Sequence, residues 1–220
     1  MYSTEHHTHS DHNKKSAGLF YPTMITAHAG AEDTVPNTAQ SIRLLLACGA
    51  DAVEVDVRMH DGTLCLSHDM AVSGSDYTGL KEAFDLLSQS HDVMMNIDIK
   101  SAGLITDILN LARQAGIAHR LVFTGDVGSE DLDIILNNEI PLWFNNYLLP
   151  LLEWGNLVKA VEKRGFSIVN TDKRRLTDKM LKEQADKFSV WTVNDEETLR
   201  SLLKAEVKNI TTKQPLLALR

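Results

Sequence analysis

The segment Ala52-Val53-Glu54-Val55-Asp56-Val57, followed by Asp61-Gly62 and then by Ser67-His68-Asp69, indicates both the fold and the chemistry of this chain. It predicts a β-strand, a tight turn, a second short extended segment and a histidine. Side chains alternate along a strand, so Glu54 and Asp56 point to the same side, about 7 Å apart. Their neighbours are apolar, and a bare carboxylate buried there costs several kcal/mol. A shared divalent cation would remove that cost; the alternative is a solvated edge strand with alternating charge.

The composition indicates one soluble domain. The chain has 220 residues, 43% of them hydrophobic, which is enough for one well-buried core and short for two. Its net charge of −8 argues against nonspecific binding to nucleic acid and against stable association with an anionic membrane. No basic segment followed by an apolar stretch marks a signal peptide, and no apolar run reaches the ~20 residues of a membrane span. We therefore expect a cytoplasmic protein, whose oligomeric state the sequence leaves open.

Two regions of the chain differ in their pattern. Residues 1–21 are polar and without periodicity, and we expect a flexible tail there. Residues 22–220 are expected to form one domain in which strand-like segments alternate with apolar stripes of helical period. The predicted strands are 24–28, 52–57, 93–100, 120–124, 141–145, 167–171, 189–193 and 207–212.

This alternation predicts an α/β fold, a compact (β/α)8 TIM barrel with short loops. An open doubly wound sheet is the alternative, but no glycine-rich phosphate loop follows the first strand. In a TIM barrel, functional side chains lie at the carboxyl ends of the strands and in the loops that follow. The candidates at these places are His28, Glu54, Asp56, His68, Asp98, Lys100 and Trp191.

These residue types suit the cleavage of a phosphodiester. The carboxylates Glu54, Asp56 and Asp98 make a hard-oxygen site for Mg²⁺ or Ca²⁺, which neutralises phosphoryl oxygens. Two histidines can supply a base and an acid, and Lys100 offers a compact positive charge. Trp191 would wall the pocket against an apolar or glycerol moiety. Each residue alone also has a simpler explanation, as a core side chain or half of an ion pair, but their joint occurrence at strand ends favours an enzyme.

The candidates belong to a series of motifs that resembles the glycerophosphodiester phosphodiesterase family over about residues 24–215. The family pattern runs H-R-G, P-E-N-T, G-A-D-x-I-E-x-D-V, D-G, H-D, E-I-K, W-T-V-N and I-x-T-D. The matching segments here are His28-Ala29-Gly30, Pro36-Asn37-Thr38, 49–57, Asp61-Gly62, His68-Asp69, 97–100, 191–194 and 210–212. The family fold is a (β/α)8 barrel, in agreement with the strands predicted above.

The resemblance implies hydrolysis of a small-molecule glycerophosphodiester to glycerol 3-phosphate and an alcohol. By the same resemblance, His28 and His68 would be the acid/base pair, and Lys100 would contact the phosphate. The implied ligands of a divalent metal, Mg²⁺ or Ca²⁺, are Glu54, Asp56 and Asp98. In the family, the glycerol's own hydroxyl is thought to attack first, and water then opens the cyclic phosphate.

Several positions depart from the family pattern. The arginine that follows the first histidine is Ala29 here, so a bidentate phosphate ligand is missing. The third acidic ligand is Asp98, one methylene shorter than the usual glutamate. Only residues 70–92 separate the H-D motif from the third barrel strand, so the insertion between the second and third strands is short and most of the family's capping segment is absent.

Three functions remain open at this point. The first is a metal-dependent glycerophosphodiester phosphodiesterase with an open pocket, in which Lys173 or Lys213 replaces the missing arginine charge. The second is a lyase that resembles the sphingomyelinase D branch and releases a cyclic phosphate; it predicts an exposed apolar rim at the barrel mouth. The third is a barrel that binds a phosphate compound without turnover, and the two histidines argue against it.

Overall fold

The computed structural model describes residues 23–220, so the tail predicted over residues 1–21 lies outside the described residues. Within residues 23–220, strands and helices alternate from the first strand to the last helix. The strands are β1 (Met24–Ala27), β2 (Ala52–His60), β3 (Thr63–Leu66), β4 (Met94–Ile99), β5 (Leu121–Gly125), β6 (Trp143–Asn145), β7 (Ile168–Asp172), β8 (Phe188–Trp191) and β9 (Asn209–Thr212). The helices are α1 (Ala39–Leu46), α2 (Leu80–Ser88), α3 (Ile105–Gln114), α4 (Ser129–Asn137), α5 (Leu157–Glu162), α6 (Asp178–Gln184), α7 (Glu196–Ala205) and α8 (Pro215–Ala218).

The strands form a barrel. Their order is β5-β4-β2-β1-β9-β8-β7-β6, and all of these neighbours are parallel. The ring is closed between β5 and β6, where Phe123 pairs with Leu142 and its N–H donates to the Pro141 carbonyl at 2.9 Å. The predicted (β/α)8 TIM barrel is therefore confirmed. Because every connecting loop at the carboxyl ends of these strands opens on the same face, that face is the mouth of the barrel.

A hairpin interrupts the alternation after β2. Strand β3 pairs with the outer part of β2 in antiparallel register, across a turn at Asp61 (φ 46°) and Gly62 (φ 74°). Positive φ at both turn residues suits the right-handed twist of the flanking strands, which is why Asp-Gly favours this hairpin. The Ser67 N–H then donates to the Asp56 carbonyl at 3.0 Å. The hairpin thus brings His68 back to the level of Asp56.

Most strand ends differ from the prediction by one to three residues, and two of them carry site residues. Strand β1 ends at Ala27 instead of at His28, because His28 is the residue at which the chain turns. Its N–H still donates to Thr212, at 2.9 Å, but its carbonyl already accepts from Ala31 at 2.8 Å. Strand β8 likewise ends at Trp191, two residues before the predicted end. Both site residues therefore stand where strand passes into loop, a position from which a side chain can reach the mouth.

The core fills the barrel and the layer between the barrel and its helices. Helix α1 buries Ile42 and Leu45, and α7 buries Leu199, Leu202 and Leu203, against the outer faces of the strands. Burial of such side chains stabilises the fold by about 1.5–3 kcal/mol each. Among the described residues, we find no helix that is both long enough and apolar enough to cross a bilayer.

Candidate active site

A cavity of about 340 Å³ opens at the mouth of the barrel. All seven residues singled out in the sequence line it: His28, Glu54, Asp56, His68, Asp98, Lys100 and Trp191. On the side of β1, β2 and β4 the wall consists of His28, Glu54, Asp56, Asp98 and Lys100, which we call the charged wall. On the side of β6 to β9 it consists of Asn145, Asn170, Trp191, Thr192 and Thr211, which we call the neutral wall.

Three carboxylates meet in the charged wall. Glu54 and Asp56 alternate inward from β2 and are only 4% and 2% exposed. Asp98 stands beside Asp56 in the register of β2 and β4. One oxygen from each of the three lies within 4.8 Å of the other two. That spacing is close enough for one cation to contact all three groups.

Lys100 lies between two of these carboxylates. Its Nζ is 2.9 Å from Asp56 Oδ1 and 2.5 Å from Asp98 Oδ2. Burial disfavours its charge, but the carboxylates of Asp98 and Asp56 outweigh burial and raise the pKa of Lys100. The ion pair between Asp98 and Lys100 that the sequence left open is therefore present in the structure, and it is part of the pocket.

Lys100 nevertheless balances only part of the negative charge of the three carboxylates. Burial raises the pKa of Glu54 well above 4.5, and the charges of Asp56 and Asp98 raise it further. Burial also raises the pKa of Asp98, although Lys100 opposes that shift. Three carboxylates and one ammonium leave two negative charges without a partner among these side chains. The excess equals the charge of one divalent cation.

His28 is held by its own backbone. Its Nδ1 lies 2.7 Å from the Ala29 carbonyl, and since a carbonyl only accepts, Nδ1 carries the proton. The other ring nitrogen of the neutral form, Nε2, therefore keeps a free lone pair. The side chain is 26% exposed, and burial lowers the pKa of His28 below 6.5. The neutral, proton-accepting form is thus favoured at this position.

His68 has a different environment. Its side chain is 66% exposed, and its Nδ1 lies 2.9 Å from Asp69 Oδ1. The hydrogen bond from His68 lowers the pKa of the Asp69 carboxyl, so this group stays ionised beside the ring. The two histidines therefore stand in different settings: the ring of His28 is largely buried and bonded to a backbone carbonyl, whereas that of His68 is exposed and bonded to a carboxylate.

Neighbouring residues hold the carboxylates in place. The Ala29 N–H donates to Glu54 Oε2 at 2.7 Å, and Asn37 Nδ2 donates to Asp56 Oδ2 at 2.8 Å. Gly125, at the end of β5, makes room for Asp98: a Cβ there would lie 2.1 Å from the Ile99 carbonyl oxygen and 2.6 Å from Asp98 Oδ1. Only glycine fits at this point.

Arg58 connects two of the loops that carry site residues. It follows Glu54 and Asp56 on the same face of β2, and its guanidinium donates to the His68 carbonyl at 2.8 and 3.1 Å. It also donates to the Lys100 carbonyl at 3.1 Å. One side chain thus fixes the backbone of both residues, although it does not line the cavity itself.

The neutral wall is a network of amides, hydroxyls and aromatic rings. Asn145 Nδ2 donates to the Tyr147 hydroxyl at 2.6 Å, and that hydroxyl donates to Asp126 Oδ1 at 2.9 Å. The Asn170 amide is best oriented with its nitrogen toward Ser189 Oγ, 2.9 Å away, because its oxygen then accepts from the Trp191 indole at 3.3 Å. The indole is therefore held at the pocket edge by a strand neighbour.

The missing arginine has no direct replacement from the two lysines considered above. Lys173 donates to Asp195 Oδ2 at 2.6 Å, and Lys213 is exposed; neither lines the cavity. Lys213 acts only at a distance, where its charge contributes to lowering the pKa of His28, after the larger effect of burial. Ala29 itself contributes its N–H to Glu54.

Sequence reasoning missed several polar residues of the pocket. They are Asn96, Thr124, Asn145, Tyr147, Thr192 and Thr211. Strand alternation could have found two of them, since Asn96 precedes Asp98 by two positions and Asn145 ends a predicted strand. Thr124 also supports the charged wall, because its hydroxyl donates to Asp98 Oδ1 at 3.2 Å. Tyr147 lies in a single 3-10 turn after β6, and no pattern in the neighbouring sequence indicated it.

Comparison with known proteins agrees with the motifs. Residues 28–86 match the sequence model described as the glycerophosphoryl diester phosphodiesterase family. This match covers β2, the hairpin, His28 and His68, and ends before Asp98. No curated protein sequence matches the chain.

Solved structures share the fold at low sequence identity. A glycerophosphodiester phosphodiesterase from Parabacteroides distasonis is 15% identical, with a TM-score of 0.73, over 90% of this chain and 95% of that chain. A phosphodiesterase from Oleispira antarctica in complex with the product sn-glycerol-3-phosphate is 18% identical, with a TM-score of 0.71, over 87% and 93%. A glycerophosphodiester phosphodiesterase from Thermotoga maritima is 21% identical, with a TM-score of 0.64, over 98% and 100%. These likenesses establish the barrel fold.

Proposed function

We propose that the chain is a member of the glycerophosphoryl diester phosphodiesterase family, whose sequence model matches residues 28–86, and that it hydrolyses glycerophosphodiesters to glycerol 3-phosphate and an alcohol with the help of a divalent metal. The observation that carries this proposal is the charged wall, in which three carboxylates, a lysine and a histidine meet at one end of a barrel cavity. A second histidine, His68, lines the same cavity, so the proposed acid, base and cation ligands lie in one pocket.

The residues present fit a divalent cation. Glu54, Asp56 and Asp98 offer the hard oxygen donors that Mg²⁺ and Ca²⁺ prefer, and their two uncompensated charges match that of the ion. The raised pKa of the buried Glu54 carboxyl shows the cost of leaving this group without a cation. A bound divalent ion would neutralise charge on the phosphoryl oxygens. The residues allow either Mg²⁺ or Ca²⁺.

The two histidines would divide the proton transfers. His28 would act as the base, because its Nδ1 proton is held by the Ala29 carbonyl and its Nε2 is free to accept a proton from the attacking hydroxyl. His68 would act as the acid: the hydrogen bond between its Nδ1 and Asp69 Oδ1 orients the ring, and the departing alkoxide would take a proton from Nε2. With the glycerol's own hydroxyl as the attacking group, the P–O bond to the alcohol breaks as the new P–O bond closes a cyclic phosphate. Water would then open the cyclic phosphate to glycerol 3-phosphate, with His68 accepting the proton of the water and His28 returning a proton to the glycerol oxygen.

Two further residues would hold the substrate. An ammonium has three N–H donors, and two of those on Lys100 are directed to Asp56 and Asp98, so the third is free for a phosphate oxygen. This contact would supply part of the positive charge that is missing because Ala29 stands where the family has an arginine. Trp191 would pack against the glycerol moiety from the neutral wall.

The test is release of glycerol 3-phosphate from glycerophosphocholine and glycerophosphoethanolamine by the purified protein. The assay is run with EDTA, Mg²⁺ or Ca²⁺, and with Glu54→Gln as the matched variant, since glutamine keeps the shape and the contact with Ala29. We expect release that depends on metal and is lost in the variant. Absence of release in every condition, with metal bound, would favour a barrel without turnover.

One observation favours a second candidate, the lyase that forms a cyclic phosphate. Leu151 and Leu152, in the loop after β6, and Met70 and Val72, in the loop after β3, are exposed at the mouth. Such side chains suit a substrate with an apolar chain. Incubation with lysophosphatidylcholine, followed by ³¹P NMR, would show an accumulating cyclic phosphate. Cleavage of water-soluble diesters alone would exclude this candidate.

A further inference from the structure

A second groove adjoins the catalytic cavity. It has a volume of about 440 Å³ and shares Tyr147 and Trp191 with the catalytic cavity. Its remaining lining residues are Asn146, Asp172, Arg174 and Arg175. A molecule held at the charged wall would therefore extend past the two aromatic rings into this groove.

The groove contains two arginines and one carboxylate, so one of the positive charges has no negative partner in the groove. Arg174 donates to both oxygens of Asp172, through Nε at 2.9 and 3.1 Å and through Nη2 at 2.5 Å, so these two charges cancel. Arg175 forms no salt bridge with any residue in the range 23–220; its guanidinium instead lies 4.0 Å from the centre of the Trp154 ring. Stacking holds the guanidinium plane while leaving its N–H groups at the edge for an acceptor.

A buried donor in the same groove also lacks a partner. Asn146 is 2% exposed, and its Nδ2 has no hydrogen-bond acceptor among the described residues. A buried N–H that stays unpaired is costly, so such groups usually meet a ligand or water. Asn146 Nδ2 and the Arg175 guanidinium are both donors, which means that the groove is suited to oxygen acceptors rather than to a cation.

Building on the proposed function, we propose that this groove binds the departing alcohol and selects alcohols that carry a negative charge, such as a phosphate monoester, over those that carry a quaternary ammonium. The glycerophosphate and its scissile P–O bond would lie at the charged wall, the alcohol would pass Tyr147 and Trp191, and the anionic end of the alcohol would reach Arg175 and Asn146. An exposed ion pair contributes modestly, so the expected preference is about fivefold.

The test compares two substrates that differ by one phosphate, glycerophosphoinositol and glycerophosphoinositol 4-phosphate. We expect the protein to prefer the phosphorylated substrate about fivefold in kcat/KM, and glycerophosphocholine to be the poorest of the three. Arg175→Gln should bring the two inositol substrates to near parity while activity on glycerophosphoinositol is kept. Arg113→Gln, an exposed charge on α3, is the matched control and should keep the fivefold preference.

A binding measurement separates this inference from the function on which it rests. Titration with inositol 4-phosphate or with inositol, observed through the indole N–H signal of Trp191, needs no turnover. We expect inositol 4-phosphate to saturate the protein at a concentration about fivefold lower than inositol does. In Arg175→Gln, the two ligands should saturate the protein at similar concentrations. If no diester is cleaved but the two ligands still differ in affinity, the proposed hydrolysis is wrong and the proposed selectivity of the groove is supported. Equal binding and equal kcat/KM for both inositol compounds, or a preference for the choline ester, would overturn the inference.

Discussion

The two walls of the cavity solve opposite problems. The charged wall collects three carboxylates in a place that raises the pKa of Glu54 and Asp98, and so holds groups that are unfavourable there without a partner. The neutral wall holds uncharged amides, hydroxyls and an indole, several of which hydrogen-bond to neighbouring residues. The comparison suggests that stability has been given up on one side only, where the chemistry needs it. In the proposed reaction, the other side would provide the surface against which the substrate packs.

The largest effect should follow from removing one charge of the charged wall. We expect Glu54→Gln to lower kcat by about a thousandfold or more, because a cation ligand is lost while the fold is kept. In the metal-free protein the same change should raise the free energy of unfolding by about 1–2 kcal/mol, since a bare buried charge is removed. Asn170→Ala in the neutral wall is the matched comparison, and its melting temperature should fall.

This gain in stability should depend on pH in a defined direction. In the wild type, the folded state holds the Glu54 proton above pH 4.5 while the unfolded state releases it, so stability falls as pH rises through that window. The advantage of Glu54→Gln should therefore be absent below pH 4.5, grow above it and level off beyond the raised pKa. Urea titrations in EDTA across this range measure it. An advantage that shrinks with rising pH would contradict the assignment of a strained carboxyl.

The second effect concerns His28 as base. Burial lowers its pKa below 6.5, so the neutral ring persists into mildly acidic solution. We expect the acidic limb of kcat/KM, which reports the free enzyme, to have its midpoint below pH 6.5 and to fall tenfold per pH unit beyond it. NMR titration of the ring nitrogens of His28 provides an independent assignment. A limb at or above pH 6.5 would remove His28 from this role.

The third effect compares two arginines that bind carbonyl groups at opposite ends of the barrel. Arg58 holds the carbonyls of His68 and Lys100 at the mouth, whereas Arg120 holds those of Leu87, Ser90 and Val93 at the far end. Arg58→Gln should lower kcat about ten- to a hundredfold with little change in KM, because His68 and Lys100 lose their positions. The matched Arg120→Gln should lower the melting temperature and leave kcat unchanged.

The result of this pair decides what Arg58 does. If both variants lose thermal stability and kcat alike, Arg58 is a structural residue only. Partial rescue of kcat by Arg58→Lys would also be unexpected, because an ammonium cannot span two carbonyl groups as a planar guanidinium does.

The smallest effect should come from the neutral wall. Trp191→Phe removes the indole N–H that donates to the amide oxygen of Asn170 but keeps an aromatic face at the pocket. We expect KM for glycerophosphocholine to rise about two- to fivefold and kcat to stay within a factor of two, since a hydrogen bond behind the surface contributes about 1 kcal/mol. Steady-state kinetics test this, and a large loss of kcat would place Trp191 closer to the reaction than the comparison allows.

Local sequence patterns predicted much of the fold and half of the residues that line the cavity. The alternation of β2 placed Glu54 and Asp56 on one face, and Asp61-Gly62 predicted the hairpin, because both features depend on neighbours in the chain. The strand ends at His28 and Trp191 were displaced by one or two residues, since the point at which a strand ends depends on its partners. The roles predicted for the seven site residues stay predictions until the variants are measured.

The sequence by itself determined the barrel, the spacing of the carboxylates on β2 and the approach of His68 through a hairpin, because periodicity and turn chemistry act over a few residues. Only the tertiary structure decided that Lys100 lies between Asp56 and Asp98, and that Arg58 binds two separate loops. The same holds for the groove beside Trp191, where the Nδ2 donor of Asn146 has no acceptor within residues 23–220. These contacts join residues that are distant in the chain. Their geometry follows from closure of the barrel, which no local pattern encodes.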